Sequence, residues 1–141
     1  MLSKIDHVGI LVDDIAANTA LFEHLGLGVG SIERVPEFGV EIAFIRVGES
    51  LVELVEPVDR GGDIAADLEG ADGTALLHHV AFRVDDIETA LATLRRSGVA
   101  FADDEPRSGA GGANVAFLDR AGANGVRIEL VERETDVALD R

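Results

Sequence analysis

The chain has 141 residues, 47% of them hydrophobic and 28% charged, with 27 Asp and Glu against 12 Lys and Arg for a formal charge of -15. That is enough apolar material for one compact domain and too little length for two ordinary ones. The acidic balance excludes nucleic acid and anionic membranes as main partners, because a phosphate backbone demands a basic face; the absence of cysteine excludes disulfides, thiolate metal sites and cysteine nucleophiles.

From the N-terminus, MLSKIDHVGILVDD is a short apolar run cut by Asp6 and by the pair Asp13 and Asp14. It fits neither a signal peptide nor a membrane span, so the protein reads as soluble and cytoplasmic. Alternation predicts a strand over 5–12, ending in a VDD turn whose Asp14 caps a helix over 15–25 through its side-chain oxygen. That helix puts Ile15, Thr19 and Phe22 on one face, and Gly26 stops it. GLGVG at 26–30 follows a helix instead of a strand, so it is a cap and turn and not a phosphate loop. Apolar strands are predicted over 28–34, 40–47 and 50–56. A linker rich in Gly and Asp over 59–74 holds a short helical candidate at 63–68.

The plan then starts again. HVGILVDDIAANTALFEHLGL, from His7 to Leu27, returns 72 residues later as HVAFRVDDIETALATLRRSGV, from His79 to Val99. Eight of the 21 positions are identical, where composition alone gives roughly one or two. The second half is predicted as a strand over 79–84, an Asp86-capped helix over 87–97 with Ile87, Leu91 and Leu94 on one face, a stop at Gly98, and strands over 99–102, 114–119 and 126–132. SLVELVEP at 50–57 is echoed by VRIELVER at 126–133 with an offset of 76, so the second half carries four extra residues, placed in 108–113 or 121–125. The fold class is therefore α+β, two tandem βαβββ modules over about 1–58 and 75–133 with a tail at 134–141. Neither half alone has a full core, so the two pack as one domain.

Successive side chains of a strand face opposite ways. Val8, Ile10 and Val12 form the face that covers the helix, leaving His7, Gly9 and Leu11 on the other; Val80, Phe82 and Val84 leave His79, Ala81 and Arg83. In the closing strands Glu53 and Glu129 interrupt apolar runs at mid-strand, where an unpaired carboxylate costs several kcal/mol. One His and one Glu per half, related by the repeat, make an N2O2 metal-site set of His7, Glu53, His79 and Glu129. Imidazole and carboxylate suit one divalent ion of the Mn, Fe, Co, Ni or Zn kind, with two positions open for water or substrate. His24 reads as exposed, His78 as pointing away from His79, and Phe22, Phe82 and Phe117 as core.

These residues resemble the vicinal oxygen chelate superfamily, whose members fold two βαβββ modules into a cupped mixed sheet around one divalent ion. The likeness runs from Ile5 to Glu132 and is greatest to the methylmalonyl-CoA epimerases, through IDHVGILVDD, VPEFGVEIAFIRVGESLVELVEP, LHHVAFRVDDIETALATLRRSGV, DDEPRSGA and VRIELVE. The resemblance implies His7, Glu53, His79 and Glu129 as ligands, Glu37 in PEFGV as a catalytic base, an acyl-CoA substrate and a homodimer. Metal-bound Glu129 is the candidate second base. The chain departs from the epimerase pattern at Gly109 to Gly112, where GAGG stands for the common GAHG, and at LDRAG over 118–122, which also lacks a histidine. Arg34, Arg107, Arg120 and Arg127 are the candidate cations for the CoA moiety. Two other readings stay open: a glyoxalase I-type lyase with the same ligand types, and a non-catalytic small-molecule-binding protein of the same superfamily. PEFGV favours the epimerase over the first, and four intact ligands oppose the second.

Lys4 is the only lysine, the other cations being arginines. Such a surface fits a salt-rich cytoplasm that screens self-repulsion, or equally an Arg-rich coding bias. Salt adaptation predicts a urea midpoint that rises between low and molar KCl; an unchanged midpoint leaves only the coding bias.

Overall fold

The paired VDD turns start helices because a short carboxylate can reach the free amides of the first turn. In the computed structural model, which describes residues 1–71 and 74–137, Asp14 accepts from the Ala16 amide ahead of α1 (Ile15–His24). Asp86 accepts from Glu88 and Thr89 ahead of α3 (Ile87–Arg96). Both helices end in the same way. Gly26 and Gly98 take φ of +86° and +91°, and the amides of Leu27 and Val99 reach back to the carbonyls of Phe22 and Leu94.

The strands are β1 (Leu2–Val12), β2 (Val29–Val35), β3 (Val40–Val47), β4 (Ser50–Pro57), β5 (Ala75–Val84), β6 (Arg107–Ser108), β7 (Asn114–Phe117) and β8 (Ile128–Glu132), with α2 (Asp63–Glu69) between the modules. They form one mixed sheet in the order β2-β3-β4-β1-β5-β8-β7-β6, curled into a half-barrel. Antiparallel β1 and β5 join the modules at its centre, and each has its module's closing strand, β4 or β8, parallel on its other side. No helix among the described residues is long and apolar enough to cross a membrane.

Two clusters sit under the helices: Val12, Ile15, Ala43, Ile45 and Leu54 with Phe22, and Val84, Ile87, Leu91, Ala116 and Leu130 with Phe82. The inner face carries a third around Leu11, Val40, Ile42, Phe44 and Val55, and a fourth around Ala81, Val115 and Val131. The spacing in E-L-V-E explains how one strand serves both faces. Residues three apart in a strand point oppositely, so Glu53 and Glu129 face inward while Glu56 and Glu132 turn to the helices. There their carboxylates accept from the amides of Ile15 and Ile87, at 2.8 Å in both modules.

The second module departs from the expected strands. Over 99–102 only an isolated bridge, Phe101 to Leu118, forms. The helix stop uses the Val99 amide, and Asp103 takes the Phe117 amide on its side chain, so the outer strand of this module is the two-residue β6. β8 starts at Ile128, not at 126, because the Val126 amide closes a turn on Ala123. β5 begins four residues before His79, inside the run assigned beyond the linker. Phe44 lies opposite Glu53 and Phe117 opposite Glu129, nine against twelve residues apart, which puts three of the four extra residues in the β7–β8 connection. Linker positions 72–73 and tail positions 138–141 lie outside the described residues.

Removal of either helix-facing carboxylate, by Glu56→Ala or Glu132→Ala, is expected to lower the free energy of unfolding by about 1–2 kcal/mol. Urea denaturation of the two variants measures it.

Candidate metal centre and active site

Strict alternation along β1 and β5 cannot bury two consecutive polar residues on one face, yet IDH and HH do this. The β1–β5 ladder is irregular at both places. Ile5 pairs with Phe82 and His7 with Ala81, leaving Asp6 as an extra residue, and Gly9 pairs with His79 and Ile10 with Leu77, leaving His78 as another. Such bulges re-aim side chains. Both residues turn to the interior, with 1% and 8% of their surface exposed. This corrects the expectation that His78 points away from His79: its Nδ1 lies 2.9 Å from His79 Nδ1. A polar doublet inside an apolar strand, at repeat-related positions, is the sequence signal that strict period-two counting discards.

The two histidines meet across the central pair. His7 Nε2 lies 3.1 Å from His79 Nε2 and 3.0 Å from Glu129 Oε1, and His79 Nε2 lies 3.5 Å from the same oxygen. The His79 ring rests on Gly9, where any Cβ would collide with it. On its other edge His7 Nδ1 donates to Asp6 Oδ2 at 2.7 Å, and Asp6 also accepts from Arg83 and from the buried Arg133. Glu53 lines the same cavity from β4, but its Oε2 is turned to His7 Nδ1, at 3.2 Å, and to Arg133 Nη2, at 3.4 Å. His7, His79 and Glu129 therefore converge on one point, and Glu53 stands behind His7.

The electrostatics follow from this crowding. Burial alone would lower the His7 imidazole, but Glu53, Asp6 and Glu129 outweigh it and hold the group up at about 10. Burial and the neighbouring His7 charge push His79 well down. Burial pushes Glu53 up to about 7, Glu129 adding to it and His7 and Arg133 opposing. Burial would raise Asp6 as well, yet the hydrogen bonds from His7 and Arg133 hold it well below the usual carboxylate range.

The donor set fits a divalent cation. Glu129 Oε1 is the one buried side-chain polar atom among the described residues without a hydrogen bond. It faces the two Nε2 atoms of His7 and His79, and the pocket's carboxylates ask for positive charge. Two groups of ligand atoms lie close enough to hold an ion: His7, His79 and Glu129, and Asp6, His7 and Glu53.

The inner cavity, walled by Leu11, Phe38, Val40, Ile42 and Phe117, adjoins an outer cleft of about 690 Å³, with Phe38, Ile64, His78 and Phe117 lining both. Phe117, expected in the core, instead stacks edge-on against His79. Glu37 lies half-exposed in the turn between β2 and β3, on the wall of the outer cleft. Arg107 donates to its Oε1 at 3.2 Å and to its carbonyl, and lies over Phe38. Of the four arginines singled out, Arg107, Arg120 and Arg127 line this cleft, whereas Arg34 sits on β2 and pairs with Glu41. The GAGG turn offers no free cradle at Gly111, whose amide donates to the Glu33 carboxylate. His24 is exposed on α1.

Residues 6–117 match the family model of the Glyoxalase/Bleomycin resistance protein/Dioxygenase superfamily. The chain is 34% identical over 132 residues to the ethylmalonyl-CoA/methylmalonyl-CoA epimerase of Cereibacter sphaeroides, covering 92% of this chain and 98% of that protein. Among solved structures it is similar to the methylmalonyl-CoA epimerase of Mycobacterium tuberculosis, with a TM-score of 0.88 and 29% identity over 95% of this chain and 90% of that one. A variant of the Streptomyces coelicolor methylmalonyl-CoA epimerase in complex with 2-nitronate-propionyl-CoA gives a TM-score of 0.88 at 30% identity, covering 96% of this chain and all of that one (100%).

A carboxylate whose folded-state pKa is raised stabilises the fold fully below its unfolded pKa and loses that contribution as pH rises through the folded value. For Glu53 the window runs from 4.5 to about 7. The Glu53 contribution is expected to be lost across it, so the urea midpoint of the metal-free wild type should fall relative to that of Glu53→Gln from pH 4.5 through 6 to 7.5, while the depressed His78 and His79 act alike in both proteins.

Proposed function

This chain belongs to the Glyoxalase/Bleomycin resistance protein/Dioxygenase superfamily and is an isomerase akin to the methylmalonyl-CoA epimerases; we propose that it epimerises methylmalonyl-CoA, or a related 2-acyl-CoA, by 1,1-proton transfer. The observation that carries this reading is the convergence of His7 Nε2, His79 Nε2 and Glu129 Oε1 at the floor of an apolar cavity. The cavity adjoins a cleft with a second carboxylate, Glu37, on its wall.

Epimerisation at C2 of a malonyl thioester needs one group to take the α-proton and another to return a proton to the opposite face. Glu37 and Glu129 are the two groups proposed, one on the outer cleft and one on the cavity floor. In the first step the C–H electron pair moves into the enolate while the proton passes to a carboxylate oxygen. In the second, a proton from the other group reaches C2 on the far face, and the charge on the thioester oxygen collapses. The apolar wall of Leu11, Val40, Ile42 and Phe117 lowers the local dielectric, which strengthens every charge interaction around the enolate, while solvent protons enter through the carboxylates that act on C2. His7, His79 and Glu129, whose ligand atoms converge, are the residues proposed to hold a divalent ion, with Glu53 joining them on turning away from His7 Nδ1 and Arg133. When bound, such an ion supplies an electrophile for the thioester carbonyl and the free carboxylate, stabilising negative charge that develops between them.

Incubation with methylmalonyl-CoA in deuterated water is expected to exchange the C2 hydrogen, and dialysis against a chelator to abolish the exchange. Glu37→Gln should slow it by about 10²–10⁴-fold. His7→Ala and Glu129→Ala should lose both bound metal and exchange, and His24→Ala neither. Wild-type protein with bound metal but no exchange would refute the substrate assignment, and retained metal in His7→Ala the ligand set.

A further inference from the structure

We propose that Asp67 and His78 form a positioning relay that fixes the tautomer and orientation of His79, so that the inter-module helix α2 controls the metal centre. The inference rests on the metal-holding role given to His79 above. It starts from a chain of ring nitrogens: Asp67 Oδ2 to His78 Nε2 at 3.0 Å, His78 Nδ1 to His79 Nδ1 at 2.9 Å, and His79 Nε2 to His7 Nε2 at 3.1 Å.

With His78 neutral, only one proton arrangement satisfies the chain. An ionised carboxylate accepts and cannot donate, so His78 must carry its proton on Nε2. A neutral His78 then accepts at Nδ1, which requires His79 to be protonated at Nδ1. That leaves the His79 Nε2 lone pair aimed at the point shared with His7 and Glu129. Partners of this kind on the outer nitrogen orient a ligating histidine and raise its basicity. The duplication supports the same role. Asp6, the repeat mate of His78, occupies the equivalent bulge and accepts directly from His7 Nδ1. Asp6 thus does in one step for His7 what Asp67 does through His78 for His79.

Arg127 and, farther off, Arg120 are the cations that face this relay. Arg127 Nη2 lies 3.6 Å from Asp67 Oδ2, and Arg127 Nη1 donates to the His78 carbonyl. Phe117 closes the far side of the His79 ring, edge-on. Asp67 is part-exposed on a short helix, so its side chain can be changed without opening the core, whereas His78 is buried.

The test uses the full chain and Co(II) as the probe. Asp67→Asn is expected to weaken Co(II) affinity by about tenfold in chelator competition, shift the visible Co(II) bands, and leave the urea midpoint of the metal-free protein unchanged. Asp67→Glu should recover part of the affinity. In metal-free wild-type protein, ¹⁵N-histidine spectra should show His79 protonated at Nδ1, and in Asp67→Asn a mixture of tautomers. Co(II) bound by wild type and by Asp67→Asn with equal affinity and identical bands would overturn the relay alone, as would a wild-type His79 protonated at Nε2. A wild-type protein that takes up no Co(II) would overturn the metal reading and the relay with it.

Discussion

Three carboxylates, Asp6, Glu53 and Glu129, are buried around two imidazoles at the joint between the modules, and the rest of the molecule is arranged to offset that charge. Unpaired, each would cost several kcal/mol. Arg133 supplies one fixed cation, bonding Asp6 with two nitrogens and lying 3.4 Å from Glu53. Arg83 supplies a second. His7 carries a third charge, held by those same carboxylates. Glu129 Oε1 is still left unsatisfied, facing the two Nε2 atoms. A cation at that point, the reading proposed for the site, completes the balance that the protein's own groups leave short.

Most of the architecture was legible because duplication doubles each weak signal. One VDD turn or one mid-strand glutamate says little; two of each at matched positions gave the βαβββ plan, the helix caps and stops, and the inward Glu53 and Glu129. What stayed illegible has specific causes. Strand alternation assumes a regular ladder, and the bulges at Asp6 and His78 break it where the site is built. The helix-facing Glu56 and Glu132 were hidden by the same rule used correctly: three residues from an inward glutamate is an outward one, but nothing local says that a helix amide waits there. The strand expected over 99–102 failed because its backbone groups serve the helix stop and an irregular bridge instead of a ladder.

The overall charge of -15 takes on a different meaning beside the outer cleft. Six of its lining residues are acidic, namely Glu37, Asp59, Asp63, Asp67, Asp103 and Asp119, against three arginines. Arg107 is engaged with Glu37 and Asp103, and Arg127 with Asp67 and the His78 carbonyl. Arg120 lies in the β7–β8 connection, which is three residues longer than its counterpart in the first module, with its Nε on the Gly125 carbonyl. On the proposed reading, a polyanionic thioester meets a wall where Arg107 and Arg127 are already paired, so its phosphates compete with the protein's own carboxylates for them. Part of the acidic excess thereby acts as a built-in competitor at the cleft, besides solvating the surface.

The duplicated halves are alike in backbone and unlike in charge, and that difference bears on the proposed chemistry. The partner behind His7 is an ionised carboxylate flanked by two arginines; the partner behind His79 is a second imidazole. The first arrangement holds a proton on its histidine, whereas burial and the charge on His7, with His78 adding to them, push His79 down. A perfectly symmetric site would treat the two faces of a substrate carbon alike in position and in proton affinity. This one is two-fold in its strands and histidines but not in its carboxylates or its charge, with Glu53 and Arg133 behind His7 and His78 behind His79. An epimerase interconverts mirror-related configurations at one carbon while the rest of the substrate stays chiral. It needs matched reach to both faces but not identical groups there, and duplication followed by divergence of the second partner behind each histidine supplies that combination.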